Sequence, residues 1–273
     1  MISIVTDSSA YFKKAEAAQL GVRVVPMSYT VNGRNYFETY IDHNGDFKSL
    51  LAEGGKYTTS QPSYASFLSC FEEELALGNE VLCVTISSRL SGTFSTAYMA
   101  AKQTGSDKVC VFDSHLTAGG LHLLILKAKE LADSGLALPE LTKELMSVRG
   151  KITTSFSVED MTPLRNSGRI GFMRLSVGTI LNIKPILRCV DGIVVADEMA
   201  RGSTEMLKKL FYKIDSDTKH IVINYIGNER LATNLYNVIS GALPSAKLKL
   251  QQGGPVLGIH LGPQVIGVSF IAP

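Results

Sequence analysis

Hydroxyl side chains gather at three places in this sequence where an apolar run gives way to a helix-like stretch. Val5-Thr6-Asp7-Ser8-Ser9 closes the first apolar run. Thr58-Thr59-Ser60-Gln61-Pro62-Ser63 opens one helical segment, and Ile86-Ser87-Ser88-Arg89-Leu90-Ser91-Gly92-Thr93 opens another. The N-terminus of a helix leaves backbone N–H groups without partners and carries the positive end of the helix dipole, so it can hold an anion. Hydroxyls add donors there without adding charge. Two such junctions at neighbouring strand ends would form a neutral cradle for a carboxylate or a phosphate. Plainer readings stand beside this one. Asp7, Ser8 or Ser9 can cap the helix that follows, and Ser60 or Thr59 can do the same in the second motif. Asp113-Ser114 ends another apolar run, and the Gly119-Gly120 pair beyond it favours close packing over contact with a ligand.

The second half of the chain offers two further loops. In Leu164-Arg165-Asn166-Ser167-Gly168-Arg169-Ile170, Gly168 is placed to end a helix, and Arg169 is either a solvated charge or an anion clamp. The segment from Gly253 to Pro263 is rich in glycine and contains a single histidine, His260. Ser91 as nucleophile with His260 as base would make an acyl hydrolase or transferase, the alternative chemistry open to these residues. Other chemistries lack their residue patterns. No lysine follows Gly92 as a phosphate-binding loop requires, which also speaks against a metabolite kinase that binds ATP itself. No G-x-S-x-G elbow occurs, and no G-x-G-x-x-G follows a strand. His43, His115, His122, His220 and His260 show no metal-ligand spacing, so no metal is expected.

The chain that must position these groups has 273 residues, 45% of them apolar and 19% charged. The charged fraction lies below the roughly 25% of an average globular chain, which argues against disorder. A formal net charge of +2 and the lack of a dense basic run exclude nucleic acid as the expected partner. Cys70, Cys83, Cys110 and Cys189 form no C-x-x-C pair and read as reduced residues, three of them inside apolar runs. The N-terminus has no basic region before its apolar run, and the stretch 116–126, with His122 and two glycines, is too short to span a bilayer. A soluble, cytoplasmic protein with no integral membrane segment is expected.

Apolar runs at 2–5, 22–25, 81–86 and 108–112 read as buried strands, alternating with helical stretches at 11–19, 63–77, 93–103 and 117–132. In the second helix Tyr64, Phe67, Leu68, Phe71 and Leu75 fall on one face. This alternation predicts a parallel sheet with helices around it. Residues 29–44 break the rhythm. They are polar and aromatic, with Asn32-Gly33 as a hairpin turn, and read as a small β excursion. The second half predicts strands at 151–158, 185–190 and 193–197 (the latter two flanking the Asp191-Gly192 turn), 220–226, 247–251 and 265–271. Helices are expected at 161–167, 171–181, 203–214 and 229–241. The predicted fold class is α/β in two domains: an N-terminal parallel-sheet α/β domain over 1–150 and a C-terminal mixed α+β domain over 151–273.

Taken in order, Thr6-Asp7-Ser8-Ser9, Thr59-Ser60-Gln61-Pro62-Ser63, the Ile86 to Thr93 segment, Asp113-Ser114, Ser167-Gly168-Arg169-Ile170 and His260-Leu261-Gly262-Pro263 resemble the DegV family of bacterial fatty-acid-binding proteins. The resemblance runs over essentially the whole chain. It implies two α/β domains with a long-chain fatty acid between them as the ligand, no further cofactor, and no catalysis by the chain alone. It implies a carboxyl group hydrogen-bonded by Thr59 and Ser91, with Ser60, Gly92 and Thr93 alongside and Arg169 and His260 near the carboxyl end. Some members of the family similarly serve as the fatty-acid-binding subunit of a fatty acid kinase, presenting the carboxyl group to a separate ATP-binding partner and carrying away the acyl phosphate. Such a kinase subunit is therefore the implied protein partner. One position departs from the family habit: Leu261 stands after the final histidine, where a Thr or Ser is common.

Overall fold

A computed structural model of the protein describes residues 1–52, 54–171 and 182–273. The first half begins with β1 (Ile2–Asp7), buried from its second residue onward, then α1 (Lys14–Leu20) and β2 (Val22–Val25). Next come β3 (Met27–Val31), β4 (Arg34–Glu38), α2 (Phe47–Ala52) and β5 (Tyr57–Ser60). The series continues with α3 (Tyr64–Ala76), β6 (Glu80–Thr85), α4 (Thr93–Gln103), β7 (Val109–Asp113), α5 (Ala118–Asp133) and α6 (Leu138–Lys151). Strands β2-β1-β6-β7 form one sheet, in that order, and every pairing in it is parallel. The near-continuous apolar runs are what a sheet covered on both faces demands. The small β excursion is a second sheet of order β4-β3-β5, with Asn32 and Gly33 at positive φ in its hairpin turn.

The second half continues with β8 (Ile152–Val158), α7 (Thr162–Ser167), β9 (Ile183–Val190) and β10 (Ile193–Arg201). It ends with α8 (Gly202–Phe211), β11 (His220–Ile226), α9 (Glu229–Ala242), β12 (Lys247–Gln252), α10 (Pro255–Leu261) and β13 (Val265–Ile271). Its six strands run in the order β10-β9-β8-β13-β11-β12, with β11 and β12 parallel and the other neighbours antiparallel. A parallel-sheet N-terminal domain thus meets a mixed-sheet C-terminal domain. The Asp191-Gly192 turn is at positive φ at both residues, as its sequence predicts.

Several local expectations are corrected. The helix expected at 11–19 begins only at Lys14, because a 3₁₀ turn at Ser8–Ala10 is followed by Tyr11 at φ 56°. Thr58, Thr59 and Ser60 are not a helical terminus. They lie in β5, and Ser63 is the residue that caps α3, accepting from Ser66 N at 3.0 Å. The buried face of α3 is Phe67, Cys70, Phe71 and Glu74, so Tyr64 turns outward. Glu74 takes a core-facing position because Arg23 meets it at 2.8 Å and Asn79 at 2.9 Å. Helices α2 and α6 were not predicted from the sequence, and the segment read as a glycine-rich loop from Gly253 to Pro263 contains helix α10, with Pro255 in its first turn. The helix expected at 171–181 lies outside the described residues.

Helix α5 sits where the two domains meet. From Ala118 to Ile125 all its residues are buried, packed against β1 on one side and against β8, β11 and β13 on the other. Gly119 and Gly120 make that approach feasible: a Cβ on Gly119 would lie 2.2 Å from Asn224 Oδ1, and one on Gly120 would lie 2.5 Å from Thr154 Oγ1. The glycine pair serves packing, as its sequence context favours.

Candidate ligand site between the domains

A cavity opens between the two domains, with an empty space of about 1120 Å³ counted out to its mouth. Its walls are mostly apolar. Ile86 and Leu90 come from the N-terminal side, and Phe156, Leu164, Val194, Ile226, Leu257 and Val265 from the C-terminal side. Both domains contribute because β5 and the start of α4 face α10 and the loop after α7. A Cβ on Gly92 would come 3.0 Å from Gln61 Nε2, so the glycine lets the β5–α3 loop lie against the start of α4. That contact brings the strand carrying Thr59 beside the turn carrying Ser91.

Of the residues singled out from sequence, Thr59, Ser60, Ser91, Gly92, Arg169 and His260 all line this one cavity. Thr59 Oγ1 lies 2.7 Å from His260 Nε2. Ser91 Oγ lies 2.8 Å from Thr93 Oγ1 and accepts a 3.3 Å hydrogen bond from Thr93 N. Thr93 is fully buried behind Ser91, off the cavity wall, and orients it. Burial, and then the charge of Arg169, push the His260 imidazole down to about 4, so the ring is neutral near neutral pH. A neutral imidazole whose Nε2 carries its proton donates it to Thr59 and frees the Thr59 proton for a guest. Ser91 keeps a proton to give when Thr93 Oγ1 is the donor in the bond between the two hydroxyls.

The dyad that an acyl hydrolase would need is not assembled. His260 is engaged with Thr59, and Ser91 with Thr93. A nucleophile and its base would share a hydrogen bond instead. Among the described residues no group of three or more His, Cys, Asp or Glu is placed to hold a metal ion. No helix among them is long and apolar enough to cross a membrane.

Three further groups of contacts join the domains around the cavity. Sequence reading found none of them. Glu38 is fully buried at the end of β4. It accepts from Ser8 Oγ at 3.0 Å and from Val256 N, at the start of α10, at 2.8 Å. Burial pushes its carboxyl up to about 7, against those two hydrogen bonds. Its signal in the sequence is a single acid in an aromatic strand, which exposed edges also carry. The Asp191-Gly192 turn docks on the loop before α4: Ser87 Oγ donates to Gly192 O at 2.7 Å, and Arg89 Nη1 to Asp191 O at 3.3 Å. Gln251 Nε2 reaches Tyr11 O at 3.0 Å, and Lys249 Nζ lies 2.9 Å from His122 Nε2 and pairs with Glu16. Burial opposes the Glu16 charge, yet His122 and Lys249 hold it down to about 2.

Two unlike domains thus close on a mostly apolar cavity whose wall carries hydroxyl, imidazole and guanidinium groups. The chain belongs to the DegV family, whose description reads "Uncharacterised protein, DegV family" and which matches residues 1–273. A DegV domain-containing protein of Halalkalibacterium halodurans is 32% identical over 276 residues, covering 98% of each chain. A DegV family protein from Thermus thermophilus, described for its fatty acid binding, superposes with a TM-score of 0.89 at 32% identity, over 100% of this chain and 99% of that one. DegV from Bacillus subtilis, described as a fatty acid binding protein, superposes with a TM-score of 0.87 at 25% identity, over 100% and 99%.

Proposed function

We propose that this protein binds one long-chain fatty acid between its domains, holds the carboxyl group with Thr59 and Ser91, and presents it to a separate ATP-binding kinase subunit for conversion to an acyl phosphate. The observation that carries this reading is one mostly apolar cavity with Thr59, Ser91, Arg169 and His260 on its wall. The two ends of a fatty acid have opposite needs. Each buried methylene contributes roughly 0.8 kcal/mol, so a chain of sixteen to eighteen carbons gains on the order of 10 kcal/mol before ordering costs. The carboxylate cannot be buried without partners. The hydroxyls of Thr59 and Ser91 supply them without burying a cation beside the acid. Arg169, next to His260, is placed to meet the added charge of an acyl phosphate. The likeness to the Thermus thermophilus protein, at 32% identity over the full chain, supports the same ligand class.

Native mass spectrometry of the purified protein tests the first part, with a co-purified fatty acid as the expected result. No lipid on the protein, together with no binding of added stearate, sinks it. The second part is tested by adding an ATP-binding fatty acid kinase subunit and ATP to the loaded protein. Acyl phosphate should form only when both chains are present, and its formation by either chain alone overturns the presenting role.

A further inference from the structure

We infer that the cavity selects a fatty acid bearing an oxygen function, a hydroxyl or keto group, on its chain well away from the carboxyl end. The inference rests on the fatty-acid reading above and deepens it. It comes from a polar island in the apolar wall, built where the first turn of α5 meets the C-terminal sheet. Thr117, Thr154, Asn224 and Ser269 all line the cavity there. They are neighbours in space. Asn224 and Ser269 crowd Gly119, and Thr154 crowds Gly120.

The polar groups of the island are unequally satisfied. Asn224 is spoken for: its Oδ1 accepts from Gly119 N at 2.9 Å and its Nδ2 donates to Gln251 Oε1 at 2.7 Å. Thr154 and Ser269 share one hydrogen bond of 2.9 Å, which uses one of their two protons. Thr117 is the odd member. It stands at the N-cap of α5 but makes no capping bond, because Ala118 after it turns left-handed at φ 50°. Thr117 is 8% exposed, and its buried Oγ1 has no hydrogen-bond partner in the protein. A buried hydroxyl without a partner leaves its desolvation cost unrecovered. A plain hydrocarbon chain leaves that cost standing, whereas an oxygen on the chain removes it.

The position and charge of the island narrow the guest. Val265, Gly267 and Ser269 line the cavity along β13, a run of about 13 Å at the usual strand rise. The chain enters β13 from α10, which carries His260, so Ser269 lies at the far end of that run. A group that meets the island is therefore several carbons from the carboxyl. Among the described residues the cavity wall carries one fixed cation, Arg169, and it stands beside His260. A second carboxylate has no countercharge at the island. A neutral hydroxyl or ketone needs none, and both offer an acceptor to Thr117.

The test is a binding series on the delipidated full chain: stearate, 2-hydroxystearate, 10-hydroxystearate and 12-hydroxystearate, each measured by calorimetry. One of the two mid-chain isomers should bind at least tenfold tighter than stearate, and the 2-hydroxy isomer should gain nothing. In Thr117→Val the preference should fall below threefold with stearate affinity unchanged, and Thr117→Ser should retain it. Stearate binding as tightly as every hydroxy isomer overturns the inference while leaving the fatty-acid reading intact. A mid-chain preference that survives Thr117→Val overturns the role of Thr117. Failure of all four acids to bind removes both readings. If Thr117→Val does not fold, the series on the unaltered chain still decides.

Discussion

Thr59 and His260 stand 201 positions apart in the chain and 2.7 Å apart in space, one on β5 in the small second sheet of the N-terminal domain and the other on α10 of the C-terminal domain. The contact is at once a link between the domains and the polar end of the cavity. A ligand that accepts a hydrogen bond from Thr59 therefore engages both domains through one hydroxyl.

The proposed carboxyl grip gives the first prediction. Thr59→Val combined with Ser91→Ala removes both donors and adds no bulk, since valine has the shape of threonine. Hydrogen bonds to a charged group are worth about 1.5–3 kcal/mol each, so stearate affinity should fall by well over tenfold. Both residues are half-buried, and losing their contacts with His260 and Thr93 should cost about 1–3 kcal/mol each of stability, so affinity is compared on the folded variant. Titration calorimetry of the folded double variant provides the check. Unchanged affinity assigns the carboxyl group to other residues.

Glu38 carries a pH dependence whose sign is fixed by its position. An ordinary glutamate titrates near 4.5, and burial raises Glu38 to about 7. Between those values the folded chain holds a proton that the unfolded chain has lost. The stabilising contribution of this proton is complete below 4.5 and disappears as pH rises through 7. Glu38→Gln keeps a neutral side chain in place and should be favoured by roughly 2–3 kcal/mol more at pH 8 than at pH 5, relative to the unaltered protein. Urea unfolding of both chains at the two pH values reads this directly. Protonation of His260 acts in both chains alike and cancels in the difference. A constant offset across pH would show that Glu38 titrates normally.

Much of this architecture is legible in the residues. Val81–Cys83 and Ile4–Val5 declare buried parallel strands because a doubly covered strand leaves no polar alternation, and Asn32-Gly33 and Asp191-Gly192 declare their turns because few other pairs tolerate two positive φ angles. The grouping of Thr59, Ser91, Arg169 and His260 on one cavity comes from resemblance of ordered motifs, since spacing alone places none of them together. Local rules mislead where tertiary pairing decides. Thr58 to Ser60 look like a helix cap because hydroxyls and a proline precede a helix, yet β3 offers them a ladder, with Thr59 opposite Tyr29. Leu75 looks like the core residue of α3, but Arg23 draws Glu74 inward. Glu38 gave only the signal an exposed edge acid also gives, and Thr117 gave none. A buried acid that caps a helix start 218 positions away, and a hydroxyl held off its own helix by one left-handed residue, are products of the assembled domains.

The glycines of α5 and α6 separate packing from propensity. In an open helical position, glycine costs about 0.5–1 kcal/mol relative to alanine. Gly150, exposed near the end of α6 with nothing within 4 Å of a new Cβ, meets that condition, and Gly150→Ala should stabilise the protein by about that amount. Gly119 gains the same propensity but meets Asn224 Oδ1 at 2.2 Å, Ser269 Oγ at 2.9 Å and Val222 Cγ1 at 3.0 Å. Asn224 has no room to retreat without giving up its bond to Gly119 N or to Gln251. Gly119→Ala should therefore destabilise by about 1–3 kcal/mol, as overpacked cores do. The strain falls between α5 and the C-terminal sheet, so its relief parts the domains and widens the cavity wall at the island. Denaturant melts of the two variants, with stearate affinity measured on each, check both signs: Gly150→Ala should bind as before, and Gly119→Ala should bind more weakly. Equal and opposite shifts without any loss of binding would mean that α5 can slide against the sheet, leaving the cavity intact.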